Sequence, residues 1–325
     1  MGARGLRRGS WKAPGAAAPA AICLAAGALG IALGAAGQPT PRFRGAVDLV
    51  PIAVTVTGRG GIPVVGLPAD AFEILEDGRP QTIAYFARGD VSQDETARPA
   101  LHLGILLDTS QSMQDDVAFT RTAAIKFLNR LQEAVDITVV DFDTEVRTAR
   151  YTQADFPRVV ERIRRQKVRG MTALYDAIGT YLDGAAGQDG RKVMILYTDA
   201  GDTRSSISRN DLMDLLKASD VTVYVVGSLS HQSLASRGES EQLLRQIATV
   251  TGGQAFFPDS LKELDGVYTS VVGEIRAQYT LGYTSTNTAA DGAWRKVQVR
   301  LTDPSRKERR VRSRGGYFAP LRSDR

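Results

Sequence analysis

Hydrophobic and polar positions follow two different periods along this chain, and the change of period divides it into three blocks. From Val47 to Thr57 they alternate, with Ile52, Val54 and Val56 on one face, which predicts a half-buried strand ended by Gly58-Arg59-Gly60-Gly61. Phe72–Leu75 and Gln81–Phe86 flank Glu76-Asp77-Gly78-Arg79-Pro80, a connection suited to a hairpin. Asp90 to Pro99 is polar and aperiodic, and reads as a linker. From Ala100 the pattern changes to apolar runs of strand length alternating with helical spacings, which predicts a doubly wound, mostly parallel α/β sheet. Strands are expected at Leu101–Leu107, Ile137–Phe142, Val193–Tyr197 and Val221–Val226, with Val146–Tyr151 at an edge. A helix from about Asp115 to Glu133 aligns Val117, Ala124, Phe127, Leu128 and Leu131. Ser208-Arg209-Asn210-Asp211 has the form of a capping box, Gly252-Gly253 ends the helix carrying Leu243 to Val250, and Ser260 starts one carrying Leu264 to Ile275. The tail reverts to strand patterns at Tyr279–Tyr283, Trp294–Leu301 and Arg309–Phe318, with a turn at Asp291-Gly292.

A formal charge of +5 on 325 residues changes meaning once its origin is located. Arg4, Arg7, Arg8 and Lys12 precede any acid, and taking those four from 41 leaves 37 basic against 36 acidic side chains. Nothing there argues for a nucleic-acid partner. The basic start, the Ala/Leu/Ile/Gly run from about Ala16 to Ala36 and the small residues Ala35-Ala36-Gly37 read as a secretory signal, residues 1–37. Secretion or a periplasmic location follows, with an uncleaved N-terminal membrane anchor as the alternative, since about 20 apolar residues suffice to span a bilayer. Cys23 lies mid-run with Ala20 and Ile22 before it, which does not fit a lipobox, and a chain starting at Gln38 has no cysteine to oxidise.

Candidate chemistry begins where Leu101–Leu107 ends. Asp108-Thr109-Ser110-Gln111-Ser112 follows that strand directly, at the carboxyl end where open α/β sheets collect ligands. A carboxylate and two hydroxyls at alternate positions are hard oxygen donors, suited to Mg²⁺, Ca²⁺ or Mn²⁺. Thr172, in Gly170-Met171-Thr172, is placed as the N-cap of the next helix. Asp199 ends the run Val193–Thr198. Taken singly, each of these residues has an ordinary explanation as a helix cap or a turn residue. Asp176 and Asp202 lie nearby as candidates to orient a loop or a water.

Jointly, the three segments resemble the von Willebrand factor type A (VWA) domain and its metal-ion-dependent adhesion site. The resemblance implies a Rossmann-like fold and the metal ligands Asp108, Ser110, Ser112, Thr172 and Asp199; Met171 and Ala200 stand where that family often has glycine. It implies Mg²⁺ (or Mn²⁺ or Ca²⁺), held directly by Ser110, Ser112 and at times Thr172, with Asp108 and Asp199 acting largely through waters. One position stays open for an Asp or Glu carboxylate of a protein partner, and partner binding in related domains shifts the last helix, here Leu264 to Ile275. With Glu76-Asp77-Gly78 before the α/β block and Arg314-Gly315-Gly316-Tyr317-Phe318-Ala319-Pro320 after it, the chain is similar to exported bacterial VWA-related proteins. The expected organisation is a β segment at 38–98, the VWA domain at 99–276 and a C-terminal β segment at 277–325. The last is expected to pair with 45–90 as a small β-sandwich carrying the α/β domain as an insertion.

The expected function is non-enzymatic protein binding in adhesion or assembly. Two alternatives stand beside it. Asp141-Phe142-Asp143 ends a strand as in aspartate-nucleophile phosphohydrolases that use Mg²⁺, although Glu145 replaces the usual threonine or valine. A metal-independent scaffold with a vestigial site is the other. No G-x-S-x-G elbow is present, and His102 and His231, the two histidines, read as a core residue and a solvated one. Arg310, Arg312 and Arg314 share one strand face, expected as a solvated edge, with docking to an acidic partner as the alternative.

Overall fold

The computed structural model describes residues 49–90, 99–303 and 308–321; the segment read as a signal and most of the polar linker lie outside the described residues. In chain order the strands and helices are β1 (Leu49–Thr57), β2 (Phe72–Glu76), β3 (Arg79–Gln81), β4 (Ile83–Arg88), β5 (Leu101–Asp108), α1 (Val117–Arg130), β6 (Asp136–Phe142), β7 (Val146–Thr152), α2 (Phe156–Arg165), α3 (Leu174–Ala186), β8 (Arg191–Thr198), α4 (Arg209–Ala218), β9 (Thr222–Gly227), α5 (Leu234–Val250), β10 (Ala255–Phe256), α6 (Leu261–Ala277), β11 (Tyr279–Thr284), β12 (Trp294–Leu301), β13 (Arg310–Arg312) and β14 (Gly316–Phe318).

The six-stranded sheet has the order β10-β9-β8-β5-β6-β7, parallel except for the antiparallel edge strand β7. β5 is buried along its whole length because helices cover both sheet faces. Leu103, Ile105 and Leu107 meet α1, α2 and α6 through Phe127, Leu128, Ile163, Tyr268 and Val271, while Leu106 joins the core under α3, α4 and α5 with Ile178, Leu212 and Leu244. Gly104 is required by close approach: a Cβ there would fall 2.2 Å from the Tyr181 ring. The chain leaves β5 for β6 on one side and pairs it with β8 on the other, so the carboxyl end of β5 is the topological switch point of the sheet. Ser208 and Asp211 form the expected capping box of α4, and Ser260 caps α6 by accepting from the Glu263 amide. Among the described residues no helix is long and apolar enough to cross a membrane.

Strands from both sides of the α/β block share two four-stranded sheets, β13-β1-β11-β4 and β14-β12-β2-β3. One core joins them, containing Ile52, Val54, Phe72, Ile74, Tyr279, Leu281, Tyr283 and Val297. The Asp77-Gly78 turn forms a hairpin, both residues having positive φ (47° and 82°) as a two-residue turn of this type requires. The hairpin takes only β3 as its second strand. The run to Phe86 divides after Gln81, and β4 crosses to the other sheet beside β11, where Phe86 packs at 6.0 Å from the Phe72 ring.

Arg310 is exposed on the edge strand β13 as expected, but Arg312 and Arg314 differ from the expected solvated edge. β13 ends at Arg312, whose guanidinium pairs with the buried Glu274 of α6 and donates to Gln254 Oε1 at 2.8 Å. Arg314 donates to the carbonyls of Pro51 and Ser219. Period-2 reasoning places these side chains on one face but does not reveal that α6 supplies a carboxylate beneath it. Arg312→Met leaves Glu274 charged, buried and unpaired, and is expected to cost about 3–5 kcal/mol in urea unfolding. The double variant Glu274→Gln/Arg312→Met is expected to recover a large part of that loss, giving a strong coupling in the double-mutant cycle.

Candidate metal centre

Strands β5 and β8 are neighbours and parallel, so Asp108 and Thr198 end them at one edge of the sheet. Thr198 Oγ1 donates to Asp108 Oδ2 at 2.7 Å. The other carboxylate oxygen, Oδ1, accepts from the Ser110 amide at 3.0 Å and the Ser110 hydroxyl at 2.6 Å. Ser110 Oγ in turn lies 3.0 Å from Ser112 Oγ. Neither serine caps a helix: Ser110 makes no side-chain cap bond, and the residue preceding α1 is Asp116. With its proton directed at Asp108, the Ser110 hydroxyl keeps its lone pairs available to a cation.

Thr172 is not the N-cap its sequence position suggests. α3 begins at Leu174 after Ala173, without a side-chain cap bond from that residue. Asp202 meets the helix start instead, accepting from the Tyr175 amide at 3.2 Å and from Ser205 Oγ at 2.6 Å. Thr172 is held by its backbone, donating to Thr203 Oγ1 at 3.0 Å and accepting at its carbonyl from Thr203 and Arg204. Its hydroxyl and Asp199 Oδ1 both face Gly201, lying 3.9 and 3.4 Å from where a Cβ on that glycine would stand. Asp199 Oδ1 accepts from the Gly201 amide at 3.1 Å, and the Asp199 carbonyl accepts from Gln232 Nε2 at 2.6 Å. Ala200 between them has φ +74°, the left-handed region that glycine enters at less cost.

Five oxygen-bearing side chains thus gather at the switch point, with Ser112 the exposed member and the others buried. Among the described residues no basic side chain forms an ion pair with Asp108 or Asp199. Burial drives the Asp108 carboxyl up to about 7; the Ser110 and Thr198 hydrogen bonds oppose this, and the negative charge of Asp199 adds to it. Two carboxylates and three hydroxyls fit a hard divalent cation. No group of three or more His, Cys, Asp or Glu side chains among the described residues is arranged to hold a metal. The donor set here differs from such groups in being mostly hydroxyl.

Asp176 and Asp202 stand apart from this cluster. Asp176 accepts from the amides of Ser206 and Ile207, so together they brace the loop after β8. The sequence reading missed two neighbours. Thr198 is visible only as the residue before Asp199. Asp116, its pKa raised by burial and by the charges of Asp199 and Asp115, lies 3.6 Å from His231. His102 has Asp136 on Nδ1 at 2.8 Å and the Asp189 carbonyl on Nε2 at 2.9 Å, as a satisfied core histidine does.

The von Willebrand factor type A domain matches residues 102–270, just over half the chain and nearly all of the α/β block. The protein belongs to the VWA domain family. No curated protein matches it. Similar solved structures include a von Willebrand factor type A protein from Catenulispora acidiphila, at 14% identity and TM-score 0.45 over 86% of this chain and 74% of that one. Others are the vWF domain of the type V pili tip protein Mfa5 from Porphyromonas gingivalis (12%, 0.42, 54% and 95%) and a D319A mutant of the PilB minor pilin from Streptococcus sanguinis (12%, 0.43, 55% and 62%). The VWA protein described here therefore spans under two thirds of that pilin.

The raised Asp108 pKa has a measurable sign. Above its ordinary value of 3.8 and up to about 7, the folded state holds the Asp108 proton more tightly than the unfolded chain. In EDTA this group therefore lowers stability as pH rises through that window, by at most about 1.4 kcal/mol per pH unit. Asp108→Asn is expected to be more stable than wild type at pH 8 in EDTA, by on the order of 2–4 kcal/mol, and to lose that advantage near pH 4. Urea unfolding across a pH series checks it.

Proposed function

We propose that this VWA domain holds a divalent cation, Mg²⁺ in the first instance, and through it captures an Asp or Glu carboxylate of a protein partner. The observation that carries the reading is a pair of buried carboxylates, Asp108 and Asp199, set among three hydroxyls without a basic counter-charge among the described residues. A bound cation would supply an electrophilic position open to the incoming carboxylate. Ser110, Ser112 and Thr172 would provide neutral oxygens, while Asp108 fixes the Ser110 hydroxyl and Asp199 balances charge. Few directly bound anions leave a cation more receptive to another one.

The basic leader and apolar run support an exported location for this activity, secreted or periplasmic, with an uncleaved N-terminal membrane anchor as the alternative. A phosphohydrolase built on Asp141 and Asp143 has less support. Asp141 Oδ1 accepts from Arg162 and Oδ2 from Arg147, and two guanidiniums drawing on the carboxylate's charge make it a weaker nucleophile. Burial acts to raise Asp143, but Arg147, Arg169 and the Glu145 amide outweigh it and hold the carboxyl below its ordinary range, unlike a general acid.

Thermal unfolding in EDTA and in millimolar Mg²⁺ tests the site. At ten times Kd the wild type is expected to gain about 1.4 kcal/mol, a rise of roughly 3–5 °C for a domain of this size. Asp108→Ala and the surface variant Ser112→Ala are expected to lose the gain. A wild type indifferent to Mg²⁺, Mn²⁺ and Ca²⁺ would instead identify a metal-independent scaffold.

A further inference from the structure

Beside the proposed metal centre lies a cleft of about 680 Å³ whose wall includes Thr109 of the DxSxS loop. Its charged walls are Asp141 of β6, Arg147 of β7, Arg162 and Arg165 of α2, and Lys167 and Arg169 of the segment leading to Thr172. The cleft and the site are stitched together: the Arg169 amide donates to the Thr109 carbonyl at 2.9 Å and the Gln111 amide to the Gly170 carbonyl at 3.1 Å. Resting on the metal-site reading above, we infer that this cleft is a second subsite, which takes further acidic side chains of the same protein partner.

The charge count favours a ligand over internal neutralisation. Asp141 is the acidic residue lining the cleft and is shared by Arg147 and Arg162, while Asp143, outside the lining, is shared by Arg147 and Arg169. Glu145 also pairs with Arg147 and Glu161 with Arg165, so four carboxylates face five cations and one positive charge is left over. Arg165 pairs through Nε with Glu161, and Lys167 forms no ion pair among the described residues. Arg169 uses Nε on Asp143 and is 62% exposed in its side chain, so its terminal nitrogens remain for a planar anion. Guanidinium forks match carboxylates bidentately. Asp141 holds Arg147 and Arg162 in place, which presets the cleft before a ligand arrives. Distance sets the register of the ligand. Arg169 and Thr172 are three residues apart, at most about 10 Å of extended chain. Acidic side chains two to four residues from the one at the metal would therefore reach the cleft. A sulfated polysaccharide shares the anionic chemistry, but a carboxylate-bearing peptide fits both subsites at once and Asp141 in the lining disfavours denser charge.

Fluorescence anisotropy of a fluorescein-labelled ten-residue polyglutamate, with the full chain at low ionic strength, tests the cleft. Arg165→Glu/Lys167→Glu, both exposed positions, is expected to weaken binding about tenfold or more with Mg²⁺ and with EDTA alike. Arg158→Glu/Arg164→Glu makes the same charge change on α2 outside the cleft and is expected to alter binding less than about twofold. Thermal unfolding of each variant shows that it is folded, and Lys167→Gln is expected to give a smaller loss in the same direction. Asp108→Ala is expected to remove only the Mg²⁺-dependent part. Equal binding by wild type and the Arg165→Glu/Lys167→Glu variant overturns the proposal, as does the absence of polyglutamate binding by wild type. Binding of a heparin hexasaccharide at the cleft without polyglutamate binding overturns it in favour of a glycan. A cleft effect that persists while Mg²⁺ has no influence supports the cleft and overturns the metal reading alone.

Discussion

A carboxylate that burial pushes toward neutrality, Asp108, organises the carboxyl edge of the central sheet. Its position is set by β5, which must be apolar because both faces of the sheet are covered, and which ends where the strand order reverses. At that point the chain places hydroxyls, from Ser110 and Thr198, where a salt bridge would otherwise stand. Two hydroxyl bonds and an amide bond hold the geometry without cancelling the charge. The result is a pair of buried carboxylates that no basic side chain among the described residues neutralises by an ion pair.

The contrast with the acids a few residues away shows that this is a local choice. Asp141 and Asp143 end the neighbouring strand β6 and meet a net of guanidiniums from β7, α2 and the loop before Thr172. Two kinds of carboxylate thus sit side by side on one edge, one kind ion-paired with guanidiniums and the other held by hydroxyl and amide hydrogen bonds with no ion pair among the described residues. The loop running from Arg169 to Thr172 touches both. The balance of charge on this face therefore changes across a few residues.

Much of this was legible in the residues. Continuous apolar runs identified the buried parallel strands, Ser208 and Asp211 announced a capping box, and the order of Asp108-x-Ser110-x-Ser112, Thr172 and Asp199 was enough for the family resemblance. What stayed hidden depends on contacts distant in sequence. Thr172 looked like a helix cap because local spacing cannot show that Asp202, thirty residues later, reaches the start of α3. The split of Gln81–Phe86 between two sheets follows from the place of β11 next to β4, and β11 lies some two hundred residues downstream. Arg312 looked solvated because nothing near it in sequence reports the buried Glu274 of α6. Residues 1–37, where the reading of export rests, lie outside the described structure.

The antiparallel pairing of β1 with β11 also decides how this molecule bears a pull. Leu49 lies opposite Thr284, and Val54 opposite Tyr279, from which the chain runs back through Gln278 into α6. β4 leaves for the α/β block from Arg88, which is paired with Tyr279, so both connections to that block depart from one end of the small sheet. Leu49 stands at the opposite end. Tension applied between Leu49 and the α/β block therefore acts along the strands, sharing the load across every rung of the ladder together instead of opening them one after another. A sheet loaded in shear yields only when the whole set fails, so this pairing resists a pull applied between Leu49 and the α/β block more strongly than a pull that peels the strands apart.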